Sequence, residues 1–170
     1  MRKYISKKDI PYLIVTLVLG TLSHFLYEYS GENPFTALIS PVNESVWEHL
    51  KLVFFPIFLV TAMEYSIHRP NKSALWGSRL AGAWAGMAVI VLLFYGYTAV
   101  LGREVLVIDI LLFAIGVFIT FFMSERLGCY FRKVDEIYIF LGWLCSILLF
   151  FIFTAFPLEM SLFTLPENGK

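Results

Sequence analysis

Two carboxylates, an amide, an imidazole, an ammonium and an indole fall within the twelve residues Ser40-Pro41-Val42-Asn43-Glu44-Ser45-Val46-Trp47-Glu48-His49-Leu50-Lys51. Imidazoles and carboxylates together suit divalent metals such as zinc, manganese or iron, and either group can serve as a general acid or base. Three further ionisable residues, His24, Glu28 and Asp109, stand inside or beside apolar runs. A carboxylate or imidazole in such a run is costly unless it is paired or faces a wet cavity, so each becomes a candidate for function. The ligand-binding candidates are therefore His24, Glu28, Asn43, Glu44, Trp47, Glu48, His49, Lys51 and Asp109.

Ser40 and Pro41 read as a helix start, a hydroxyl cap followed by proline at the first helical position. On that reading Glu44, Glu48 and Lys51 share one face, because 100° per residue brings i, i+4 and i+7 within about 60° of one another. Ser45 and His49 point about a third of a turn away. A compact ligand set of Glu44, Glu48 and His49 is then awkward. A better mixed set joins His24 and Glu28 to Glu44 and Glu48, and these four are the metal candidates. No HExxH or comparable ligand spacing names the metal or establishes a cofactor.

Each of these residues also has an architectural reading. Glu48 and Lys51 can form an i, i+3 ion pair, and Glu44 in a first turn suits the helix dipole. Asn43 and Trp47 can anchor a membrane interface. Glu64 and His68 read as an i, i+4 pair at a helix end. Asn43-Glu44-Ser45 matches a glycosylation acceptor formally, and is discounted at a helix start facing a bundle.

The elements that must position these groups follow from composition. The 170 residues are 59% hydrophobic and 15% charged, with a mean hydropathy of +0.76. A soluble domain carries about 25% charged residues. The chain reads as a single-domain, all-α, polytopic membrane protein whose medium is the lipid bilayer. A net charge of zero argues against nucleic-acid binding. Cys129 and Cys145 have no ligand spacing and no disulfide pattern.

Five transmembrane helices are expected, at about 10–29, 50–67, 75–100, 105–123 and 137–156. The first has the charge pattern of a signal peptide, but the run is long and no A-x-A site follows it. Pro56 should kink the second and free the Leu52 carbonyl. Ser78, Gly82 and Gly86 repeat at four-residue spacing in the third, a small-residue seam for close packing within the chain. The segments before 10, at 68–79 and at 124–136 hold ten of the thirteen Lys and Arg residues. The positive-inside rule then places the N-terminus in the cytoplasm, the C-terminus outside and the 40–51 stretch outward in the plasma membrane.

The stretch resembles the signature S-P-x-N-E-S-x-W-E-H-L-K of a family of small bacterial integral membrane proteins, common in Gram-positive anaerobes. Its other marks here are the first-span run Leu22-Ser23-His24-Phe25-Leu26-Tyr27-Glu28 and the sequence Phe54-Phe55-Pro56. The resemblance covers most of the chain. It implies a multi-pass membrane fold and a longer, glycine-containing C-terminal tail than Leu158–Lys170, but no activity, cofactor or partner. Three functions remain open. The outward polar site can bind a small polar ligand, a lipid headgroup or a proton. It can be a membrane-embedded hydrolase or transferase, with or without a metal, in which Glu44 or Glu48 is the general base and His24 or His49 a metal ligand or acid. Or it can be a structural subunit whose polar helix start docks a membrane-protein partner.

Overall fold

The computed structural model describes residues 6–163 of the chain, and among them there are seven α-helices and no strand. They are α1 (Ile10–His24), α2 (Leu26–Tyr29), α3 (Pro34–Ala37), α4 (Val46–His68), α5 (Lys72–Leu101), α6 (Leu106–Phe131) and α7 (Glu136–Ala155). Four of them, α4 to α7, are long and apolar enough to cross a membrane. α1 has 15 residues, short of the roughly 20 that a span needs. The expected first span of 10–29 is therefore divided. The Ser23 hydroxyl bonds back to the Gly20 carbonyl, and the Ser40 hydroxyl takes the Ser23 carbonyl. These competing bonds help end the α-helical ladder, and Phe25 separates α1 from the one turn of α2.

The expected start of the second span at Ser40-Pro41 is also corrected. Residues 40–45 are irregular, and α4 begins at Val46 with Ser45 as its cap, its hydroxyl accepting from the Glu48 amide. Asn43 makes the turn before it by accepting from the Ser45 amide. Glu44 therefore lies off the helix, and it shares no helical face with Glu48. α6 likewise continues to Phe131, absorbing residues 124–131 of the charged segment at 124–136.

α4 is the axis of the bundle. Val53, Phe54, Ile57 and Val60 are essentially inaccessible, and α1, α5 and α7 pack round it. Pro56 stands within α4 and cannot donate to the Leu52 carbonyl. Gly20 of α1 lies against that same oxygen, where a side chain would collide with it and with Phe113. The close approach lets α1 cover the carbonyl that proline frees.

The small-residue seam packs within the chain. A side chain at Gly82 would strike the Thr120 carbonyl oxygen, one at Gly86 the Gly116 carbonyl, and Ser78 bonds Ser124 at 2.9 Å. Thus α5 and α6 run backbone to backbone over two turns. At the Lys72 end of the bundle Arg79 donates to Asp9 at 2.9 Å and to Glu64 at 2.8 Å, with its guanidinium over the Phe121 ring. Glu64 therefore pairs with Arg79 rather than with His68, whose ring meets Tyr12 edge-on. Arg79, counted with the 68–79 segment in the charge argument, lies two turns inside α5 and is buried.

Candidate functional site

The stretch that is richest in polar residues divides into a buried clamp and an open cluster. In the clamp, Lys51 Nζ donates to Glu48 Oε2 at 2.7 Å, to the Ala37 carbonyl at 2.8 Å and to the Ser40 carbonyl at 3.3 Å. Glu48 also accepts from the Val42 amide at 3.0 Å and from the Thr154 hydroxyl at 2.9 Å. Both residues are buried, and three donors of the ammonium meet three acceptors. A buried charge pair persists only when its remaining bonding capacity is filled in this way. The clamp ties α4 to the 37–42 loop and to α7.

Trp47 lies in the core beside this clamp. Its ring lies between Phe150 and Phe163 with Phe153 edge-on, and its amide donates to the Leu162 carbonyl at 2.9 Å. The chain after α7 thus returns to seal the N-terminus of α4. Trp47 is a core residue here, not an interface anchor. Residues 1–5 and 164–170, with Arg2, Lys3 and Lys170 of the charge argument, lie outside the described residues.

The open cluster is His24, Glu44 and His49, whose ligating atoms all lie within 4.8 Å of one another. They come from the end of α1, the loop before α4 and the first turn of α4. A helix starting at Pro41 would hold Glu44 and His49 apart. With the helix starting at Val46, the loop brings Glu44 Oε2 to 3.3 Å from His49 Nε2.

The other nitrogen of His49 fixes the chemistry. Nδ1 lies 3.0 Å from the Ser45 carbonyl oxygen, which can only accept, so Nδ1 carries the proton. Nε2 then faces a carboxylate oxygen, as an ion-pair donor when it carries a proton and with its lone pair when it does not. Two acceptors at that distance repel unless a proton or a cation stands between them. The carbonyl behind a ligating histidine is also the usual device that orients its ring toward a metal. The His24 ring lies 5.3 Å from that of His49, centroid to centroid and tilted by 55°, and it has no hydrogen-bond partner among the described residues.

These three residues line a cavity of about 340 Å³ with Glu104, Asp109 and an apolar wall of Leu52, Ile90, Phe94, Leu112 and Phe113. Asp109 accepts from the Tyr97 hydroxyl at 2.5 Å, and that hydroxyl also accepts from the Val105 amide at 3.3 Å. Glu104, exposed in the α5–α6 turn, has its carboxyl pushed above its ordinary value, first by partial desolvation on its cavity side and then by Asp109; His49 pulls the other way. A perturbed acid facing a cavity is a common mark of functional sites.

Of the nine candidates, the fold brings His24, Glu44, His49 and Asp109 to one cavity. Glu48 and Lys51 go to the clamp, Trp47 to the core and Asn43 to an exposed turn. Glu28 is exposed on α2, outside the cavity. Glu104 and Tyr97 were not singled out from the sequence. Glu104 stands in a turn that reads as ordinary surface, and Tyr97 is one aromatic among many.

No curated protein and no solved structure matches the chain. A family match extends over residues 1–170. The chain belongs to the Family of unknown function (DUF6512).

Proposed function

We propose that this chain is a multi-pass plasma-membrane protein of bacteria that holds a divalent metal ion between His24, Glu44 and His49, in a cavity open to the outside. The observation that carries this reading is the approach of His49 Nε2 to Glu44 Oε2 at 3.3 Å, with Nδ1 already committed to the Ser45 carbonyl. In a tetrahedral site with bonds of about 2.0–2.1 Å, neighbouring ligand atoms stand about 3.4 Å apart. That pair is therefore already at coordinating separation, and the His24 ring closes the set by a small movement. Imidazole and carboxylate ligands favour zinc, manganese or iron.

Five crossings accompany this reading. Asp9, just before α1, bonds Arg79, which also holds Glu64 near the end of α4, while His24 meets His49 near its start. α1 thus runs alongside most of α4. With α1 as a fifth crossing, loop charge puts the N-terminus in the cytoplasm and the cavity outward.

A second reading, a membrane-embedded hydrolase or transferase, is favoured by the ligand count. Two imidazoles and one carboxylate leave a fourth position open, as in catalytic zinc sites, and Glu104 faces the same cavity. A docking subunit is less well supported, since Glu48 and Lys51 are buried rather than displayed.

The test is metal content. The protein purified in detergent, stripped and then dialysed against zinc should retain about one zinc per chain. His49→Ala and Glu44→Ala should each lose it while keeping the helical circular dichroism of the parent. Retention of zinc by both variants, or none by the parent, would overturn the proposal.

A further inference from the structure

The cavity has a direction. Its ligating groups His24, Glu44 and His49 stand at helix ends and in a loop, and Glu104 joins them from the α5–α6 turn. Its apolar wall lies deeper: Leu52 is three residues into α4 from His49, and Phe113 is seven residues into α6 from Leu106. At 1.5 Å per residue these are roughly 5 and 10 Å along the helices. Polar at the helix ends and apolar below is the polarity profile of a lipid in its leaflet.

We infer that the molecule completing the metal's coordination is a single-chain amphiphile with an uncharged nitrogen or oxygen donor as its head. This rests on the metal reading above and adds the class of ligand. Size limits it to one chain. At about 340 Å³ the cavity lies at the small end of the roughly 300–1,000 Å³ usual for ligand sites. Charge decides the head. Glu44 and Asp109 balance a divalent ion, and Glu104 adds a third carboxyl facing the same space. An anionic head would meet these acids over an apolar floor, where an uncompensated charge is most costly. A neutral donor meets the ion without that cost, and its chain follows Phe94, Ile90 and Phe113 inward.

The experiment uses the full chain in detergent with cobalt(II) in place of zinc, at about pH 8, where an alkylimidazole is mostly unprotonated. Three probes are titrated, each expressed as concentration within the micelle phase: 1-methylimidazole, 1-octylimidazole and octanoate. The octyl compound should shift the cobalt absorption at about a tenfold lower micellar concentration than the methyl one, a difference of about 1.4 kcal/mol. Octanoate should be the weakest. Phe94→Ala should remove the octyl advantage and leave the methyl titration unchanged. Should that variant fail to fold, Leu106→Ala, at a residue 74% exposed on the cavity rim, should reduce the same advantage. Equal response to both imidazoles, or octanoate matching the octylimidazole, would overturn the inference while leaving the metal site standing. Absence of any cobalt band would instead defeat the metal reading, and this inference with it.

Discussion

Lys51 Nζ and Glu48 Oε2 lie 2.7 Å apart, one turn apart on α4, with neither side chain meaningfully exposed. The pair fastens three parts of the chain at once, so its two halves are not equivalent to ordinary surface charges. Removing one partner of a buried pair costs roughly 3–5 kcal/mol, because the other charge is left behind.

Lys51→Met should therefore lower the melting temperature steeply. Glu48→Gln should cost less than Glu48→Leu, since an amide keeps one acceptor oxygen, for either the Val42 amide or the Thr154 hydroxyl, which now bond different oxygens of the carboxylate. Thermal unfolding in detergent, followed by circular dichroism, ranks the variants. Equal tolerance of Gln and Leu at Glu48 would remove the clamp from the account.

The close approach of α5 and α6 gives a second outcome. Gly82→Leu places a side chain where the Thr120 carbonyl lies. Overpacking of this kind costs about 1–3 kcal/mol, a fall of roughly 2–12 °C in melting temperature for a chain of this size. A parental melting temperature in that variant would show that the seam does not hold the two helices together.

Why the sequence revealed some of this and hid the rest can be traced to particular residues. The long apolar runs of α4 to α7 are legible because burial in a bilayer demands length and composition, and both are linear properties of the chain. The spacing of Ser78, Gly82 and Gly86 is legible for the same reason, since it repeats along one helix. The start of α4 was misread because Ser40-Pro41 and Ser45 are both plausible caps, and choosing between them requires the fold. Only the fold shows that the Ser40 hydroxyl bonds the Ser23 carbonyl and that its own carbonyl accepts from Lys51. That five-residue shift took Glu44 off the helix and joined it to His49. Glu104 was missed because nothing local marks a turn residue that faces a cavity made by other helices.

The electrostatics of Glu104 make a prediction about pH. Its carboxyl is raised above its ordinary value in the metal-free fold, so the native chain holds that proton more tightly than the unfolded chain does. Stability is therefore unaffected well below the ordinary carboxylate range and is lost as pH rises through the raised value. Glu104→Gln should flatten this loss, by a small amount because Glu104 is exposed and screened by solvent. Melting temperature against pH for the metal-free pair of proteins checks it, and a steeper loss in the Gln variant would contradict it. Metal uptake should weaken on acidification, since imidazole must lose its proton to ligate.

Orientation can be tested apart from chemistry. With five crossings and an inward N-terminus, a phosphatase reporter fused after Lys170 should be active outside the cytoplasm. Activity of only a cytoplasmic reporter at that junction would reverse the proposed sidedness, and the cavity would then face inward.

The most direct test of the central claim is X-ray absorption at the zinc edge of the reloaded protein. The account predicts a first shell of nitrogen and oxygen at about 2.0–2.1 Å, with the multiple scattering of two imidazoles. His24→Ala should reduce that scattering to one imidazole, and Glu48→Gln should leave the shell unchanged. A shell without imidazole scattering, or one altered by Glu48→Gln and indifferent to His24→Ala, would contradict the account.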